Sequence, residues 1–301
     1  MKKITVAIST YNREKFLPGL FDSIVCQTMD KSLFETIIID NNCTDNTAEI
    51  TRKFIESHPD MDIRYVLETN QGLSFGRNRG ITESKGEYIT FADDDALLTP
   101  DFLEKACQYL DNHPDVSEVG GPIFLHYLCP VPKWENKYMN SLLGFFNPSD
   151  KEYVMNVKHN RYPRGSNMTF KTSVFKKAGM FNTELGRTGK GLGGGEEKDI
   201  AFRIFDCGMK IAYTPEVIVK HLVPEERTTM EFIRRQAIGV GTGERIRSKA
   251  AGEFGKRVMT ELFKWGATLV LWVRYMVCLK PDKANALVKF RWWISRGLVG
   301  K

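Results

Sequence analysis

The sequence predicts an α/β fold: a doubly wound, mostly parallel sheet followed by a helical C-terminal segment. Three observations carry that expectation. Between Ile4 and Leu110 short apolar runs alternate with stretches of helical apolar spacing, the pattern of repeated β-α units. The first run has no in–out alternation, which suits a strand buried on both faces. Three of the runs stop at polar clusters: Thr10 to Arg13, Asp40 to Asn42, and Asp93 to Asp95. In open parallel sheets ligands bind beyond the carboxyl ends of the strands, so all three clusters should line one crevice.

In chain order, Ile4 to Ser9 reads as the first strand. Phe16, Leu17, Leu20, Phe21, Ile24 and Val25 recur at helical spacing after it. Thr36 to Ile39 is the second strand. Asp45 can cap the next helix, with Ile50, Phe54 and Ile55 on its inner stripe. Ile63 to Leu67 leads to Asn70-Gln-Gly72, and Leu73 to Glu83 is helical. The fourth strand runs into Asp93. Thr99-Pro100-Asp101 then starts a helix with a cap, a first-turn proline and an early acid. A strand near Val119 to Phe124 follows. Residues 129–163 are irregular and either carry substrate contacts or cover the sheet. Arg164 to Phe170 turns into a strand, Thr172 to Ala178 is a helix ended by Gly179, and Lys210 to His221 is a strand delivering His221 at its end.

The chain has 301 residues and a net charge of +6. The basic excess lies after Arg227, which suits an anionic surface or ligand. Cys26, Cys43, Cys107, Cys129, Cys207 and Cys278 form no CxxC pair, which argues against zinc and for reduced thiols. The N-terminus enters a strand with no signal-peptide apolar region, so a cytoplasmic location is expected.

Consecutive carboxylates at a strand end repel one another. Asp93-Asp-Asp95 is therefore either a solvated acidic turn or a site for a hard cation such as Mg²⁺ or Mn²⁺, which takes oxygen ligands. Gly186 to Gly195 is glycine-rich but lacks the spacing and the Lys-Ser/Thr pair of a P-loop. A loop that orders over a donor fits better, with Arg187 and Lys190 as anion contacts. Glu196-Glu-Lys-Asp199 opens a helix. Acids there are favoured by the helix dipole, or one of them serves as a general base.

Together these residues resemble the inverting family-2 glycosyltransferases of GT-A fold, from Thr5 to about His221. Ser9-Thr-Tyr-Asn-Arg13 is similar to the family's opening nucleotide motif. The resemblance implies donor contacts from Thr10, Tyr11, Arg13 and Asp40, and from Asn70, Gly72 and Asn78. It sets Asp93 and Asp94 on the donor, and Asp95 with His221 on a Mg²⁺ or Mn²⁺ ion. Gly194-Gly-Glu-Glu-Lys-Asp-Ile-Ala-Phe-Arg203 resembles the family's Gly-Gly-Glu-Asp helix. Glu197 stands where the family's catalytic Asp lies, with Glu196 as the alternative. The implied reaction moves a sugar from a nucleotide-sugar donor, UDP favoured, to a glycan or lipid-linked acceptor.

The division expected is a catalytic domain over 1–225, with a donor half over about 1–125 and an acceptor half over about 126–225, then a helical, amphipathic segment over 226–301. That last segment mixes Trp265, Trp272, Trp292 and Trp293 with Leu, Val, Lys and Arg. Such a mixture suits a helix lying in an anionic interface, which would put the enzyme at the inner face of the cell membrane. The alternative is a helical pair packed on protein. Two rival functions remain open from sequence: a sugar-1-phosphate nucleotidyltransferase and a non-catalytic nucleotide- or carbohydrate-binding module. Nucleic acid is not an expected partner.

Overall fold

The computed structural model describes residues 2–188, 194–250 and 252–300. The chain forms two compact units: Met1–Phe124 with Phe146–His221, and Leu125–Phe145 with Leu222–Lys301. Residues 125–145 thus group with the C-terminal helices rather than with the segment 1–225.

The chain opens with β1 (Ile4–Thr10), α1 (Leu17–Val25), β2 (Phe34–Asp40), α2 (Thr47–Ser57), β3 (Ile63–Leu67), α3 (Leu73–Glu83) and β4 (Tyr88–Asp93). Then come β5 (Ala96–Leu98), α4 (Phe102–Asn112), β6 (Val116–Gly120) and β7 (Ile123–Tyr127). β8 (Tyr153–Val154), β9 (Met168–Lys171), α5 (Phe175–Ala178), α6 (Glu196–Asp206), β10 (Lys210–Tyr213) and β11 (Val219–Val223) follow.

The main sheet has the order β3-β2-β1-β4-β9-β6-β10-β8. Its first four strands are parallel, with Thr10 beside Asp40 and Ser9 beside Asp93. The alternating apolar runs dictate this half. β9 enters antiparallel between β4 and β6, so the other half is mixed. One apolar layer sets α1, α2 and α4 against one face through Leu20, Phe54 and Leu103. A second sets α3, α5 and α6 against the other through Ile81, Phe175 and Ile204.

Two expected strands are in fact pairs. Val119 to Phe124 is broken at Gly121-Pro122 between β6 and β7. Lys210 to His221 is broken between β10 and β11, where Pro215 has no N–H to continue a ladder. β11 leaves the main sheet and pairs antiparallel with β5, setting His221 opposite Ala96. The expected helix over 172–178 is a 3₁₀ turn followed by the single turn of α5.

In the second unit α7 (Met230–Ala250), α8 (Phe254–Val277) and α9 (Pro281–Val299) pack around Ile233, Ala237, Leu287, Phe290 and Ile294. Glycines let α7 and α9 approach. A Cβ on Gly241 would lie 2.1 Å from the Ile294 carbonyl oxygen, and one on Gly297 would lie 2.3 Å from that of Ile238. Glu261 of α8 is buried and accepts hydrogen bonds from Arg257 of α8 and from Arg291 and Ser295 of α9.

Candidate active site

The parallel half of the sheet brings the polar strand ends together. Thr10, buried at the end of β1, donates its hydroxyl proton to Asp94 Oδ2 at 3.0 Å. Tyr11 is half-buried in the same turn. Arg13 stacks on Phe16, its guanidinium carbon 4.2 Å from the ring centroid. From there it donates Nε–H to Asp94 Oδ1 at 3.2 Å and Nη2–H to Asp95 Oδ2. Burial and the neighbouring Asp95 push the Asp94 carboxyl up to about 7, against the pull of Arg13.

Asp40 ends β2. Its Oδ1 accepts the Cys43 N–H and its Oδ2 the Tyr65 hydroxyl, each at 2.7 Å. Asn41, which sequence reasoning passed over, ties three segments together. Its N–H donates to the Thr10 carbonyl, its Nδ2 to the Asn70 carbonyl at 2.7 Å, and its Oδ1 accepts from Gly72 N–H at 2.7 Å. Gly72 sits at φ 146°, a conformation that side-chain-bearing residues rarely adopt. The Asn70 side chain is exposed and turned to Glu68.

Asn78 has another role than the donor contact expected of it. Its Nδ2 donates to the Phe181 carbonyl and its Oδ1 accepts the Phe181 N–H, both at 2.9 Å. Both ends of the amide therefore clamp a loop to α3.

Arg77, the residue before Asn78 on α3, is buried; the resemblance sets Arg77-Asn78 in the donor-side segment but assigns Arg77 no contact of its own. Its Nη1 donates to Glu196 Oε1 at 3.0 Å. Its Nη2 lies 3.5 Å from Asp93 Oδ1 and 3.8 Å from Glu197 Oε1. Burial opposes its charge, but Glu196, Asp93 and Glu197 more than offset this and raise its pKa. Arg77 thus links the acidic end of β4 to the first turn of α6.

The two glutamates differ. Glu196 is buried and hydrogen-bonded to Arg77, whereas the Glu197 side chain is 25% exposed. Gly165 makes room for it: a Cβ there would lie 2.2 Å from Glu197 Oε1 and 2.7 Å from Arg77 Nη2. Burial, then Glu196, then Asp93 push the Glu197 carboxyl up to about 7, while Arg77 and Arg164 pull against them.

At the other side of the acidic cluster, His221 Nε2 lies 3.3 Å from Asp95 Oδ1. An imidazole nitrogen and a carboxylate oxygen converging in this way fit a hard or borderline cation. Among the described residues no group of three His, Cys, Asp or Glu side chains is arranged to hold a metal. Arg187 accepts the Leu73 N–H on its carbonyl at 2.9 Å; Lys190 lies outside the described residues.

Residues 5–178 match the model of glycosyl transferase family 2. The chain belongs to this family. A relative that matches over much of this sequence is the glucosyl-dolichyl phosphate glucuronosyltransferase of Haloferax volcanii, 26% identical over 81% of this chain and 77% of its own. The mannosyltransferase PcManGT of Pyrobaculum calidifontis, solved with GDP-Man and Mn²⁺, is 20% identical over 100% of this chain and 88% of its own, with a TM-score of 0.62. S. aureus TarS 1-349 with UDP-GlcNAc has a TM-score of 0.56 and 17% identity over 99% of this chain and 92% of that one. The fold is GT-A, and the protein is a glycosyltransferase; the nucleotidyltransferase and the non-catalytic module are set aside.

Proposed function

We propose that this glycosyltransferase moves a sugar, by one inverting displacement, from a nucleoside-diphosphate sugar to a glycan or lipid-linked glycan acceptor, with Glu197 as general base. UDP is the carrier we favour. The observation that carries the assignment of the base is the division of labour in the first turn of α6. Arg77 holds Glu196 in a buried ion pair, while Glu197 keeps an exposed edge and a carboxyl poised near neutral pH.

Thr10, Tyr11, Arg13, Asp40, Asn70, Gly72, Asp93 and Asp94 form the donor side. Asp95 and His221 would hold Mg²⁺ or Mn²⁺. Such a cation, when bound, neutralises charge on the departing diphosphate. Glu197 takes the proton of the acceptor hydroxyl as that oxygen attacks the anomeric carbon from the face opposite the diphosphate. A base with pKa near the working pH is both ionised and strong enough for this. Residues 1–225 are the catalytic part in this reading, and 226–301 bring the enzyme to the inner face of a membrane where a lipid-linked acceptor resides.

The test is nucleotide release from a panel of sugar nucleotides with Mn²⁺, in the native protein and in Glu197→Gln and Glu196→Gln. General-base loss costs roughly 10²–10⁴-fold in rate. Glu197→Gln should bind UDP–Mn²⁺ like the native protein and fail to transfer, and Glu196→Gln should retain more activity. Normal transfer by Glu197→Gln rejects the assignment.

A further inference from the structure

We propose that the outward face of α8 is a docking surface for an anionic lipid bilayer. The observation is a continuous exposed apolar stripe. Met259, Leu262, Phe263, Leu269, Val270, Val273 and Val277 are related by steps of three, four and seven, so they share one side of the helix. All seven are exposed; Phe263 is 83% exposed, Val270 70% and Val277 77%. The opposite side packs inward through Leu271 and Tyr275 and buries Glu261 and Thr268. A helix of 24 residues is roughly 36 Å long, so the stripe runs well beyond a chance surface leucine.

The tryptophans are not what makes this face. Trp265 donates to Ser295 Oγ at 3.0 Å and Trp272 to Asn285 Oδ1 at 3.4 Å, so both turn toward α9. The stripe on α8 is therefore aliphatic with one Phe, while Trp292 of α9 is exposed.

Charge selects the occupant. Glu261 is the one acidic residue of α8, and it is turned inward and paired with Arg257 and Arg291. Lys256, Lys264 and Arg274 remain exposed along the helix, with Lys280 just beyond it. Residues 222–301 carry 16 Lys and Arg against 7 Asp and Glu, a balance of +9 in a chain whose total is +6. An anionic bilayer attracts such a segment and receives its apolar stripe. A second copy would set two segments of +9 against each other. No helix among the described residues is long and apolar enough to cross a membrane, so α8 lies along the surface. The docking rests on the lipid-linked-acceptor reading only for its purpose, since bilayer binding needs no sugar.

The experiment is flotation of the full chain with vesicles of phosphatidylcholine and phosphatidylglycerol, compared with phosphatidylcholine alone, at low salt and at about 0.5 M NaCl. The probes are native protein, the double variant Phe263→Asp/Val270→Asp, and Val277→Asp alone. Native protein should float with the anionic vesicles and less with the neutral ones, and salt should weaken it. The double variant should lose at least about tenfold in partitioning, the equivalent of 1.4 kcal/mol, with its melting temperature and UDP–Mn²⁺ affinity unchanged. If its melting temperature falls, Val277→Asp decides, and it should partition severalfold less than native. Native protein that stays down with anionic vesicles, or variants that float equally, overturns the proposal. So does a native dimer in sedimentation that the double variant splits while neither floats, since a second copy would then own the face. Unchanged UDP binding throughout separates any such failure from a failure of the catalytic reading.

Discussion

Arg77 donates from Nη1 to Oε1 of Glu196 at 3.0 Å, and both side chains are buried. The same guanidinium faces Asp93 and Glu197 and lies 5.4 Å from the Phe181 ring centroid. Removing one partner of a buried pair leaves the other charge without compensation. Arg77→Met should therefore cost about 3–5 kcal/mol of stability, read from urea unfolding. Arg77→Lys should cost less but not zero, because an ammonium keeps the charge and loses the fork. A loss near zero for the Met variant would mean that the pair is dispensable.

Arg13 and the acidic cluster make a second case. Arg13 supplies positive charge to both Asp94 and Asp95. Arg13→Ala should lower the melting temperature by several degrees in EDTA and by less in Mn²⁺. An equal loss in both media would deny that cation and guanidinium serve the same carboxylates. Asp95→Ala should abolish Mn²⁺-dependent UDP binding in calorimetry, and His221→Ala should weaken it less, because a neutral imidazole adds no charge.

What sequence reveals here follows from what is local. The parallel half of the sheet is legible because each strand is an apolar run ending at a polar cluster, and its register then sets Thr10 beside Asp40 and Ser9 beside Asp93. Arg77 is not legible as the hub. Its partner Glu196 is 119 residues away, and a lone Arg in a helix reads as surface. Asn41 hides beside Asp40 for the same reason. The antiparallel entry of β9 leaves no mark, since a short strand buried on both faces reads the same in either direction. The outward stripe of α8 becomes visible only when α9 shows which side is covered.

The crossing of α7 and α9 gives paired predictions of opposite sign. A Cβ on Gly297 would meet the Ile238 carbonyl oxygen at 2.3 Å and the Thr242 nitrogen at 2.9 Å, both backbone atoms. Overpacking of this kind costs about 1–3 kcal/mol, and the roughly 1 kcal/mol gain in helix propensity from Gly to Ala cannot fully offset it. Gly297→Ala should lower the melting temperature. Gly243→Ala, where nothing lies within 4 Å, should raise it. Two increases would show that propensity alone governs this pair of helices.

Glu197 predicts the pH profile. Transfer needs its carboxylate, and burial with Glu196 and Asp93 raises that group from its ordinary 4.5 to about 7. Below about pH 7 the ionised fraction falls tenfold per unit, so the rate of single-turnover transfer should rise with pH and level off above about 7. Arg164 pulls this pKa down; without it the anion is less favoured, so Arg164→Met should move the inflection upward. A shift downward, or a flat profile from about pH 5.5 to 8, would remove Glu197 from the role of base. The sign for stability is the reverse. A folded-state pKa above the unfolded one means that the unfolded chain gives up its proton first as pH rises. The contribution of Glu197 to stability should therefore decline between about pH 4.5 and 7, while activity climbs over the same window. Glu197→Gln cannot ionise in either state, so it should abolish transfer and flatten that part of the decline. Urea unfolding of the variant and the native protein at both ends of the window separates this outcome from a carboxylate that is merely structural, whose loss would destabilise the fold at every pH.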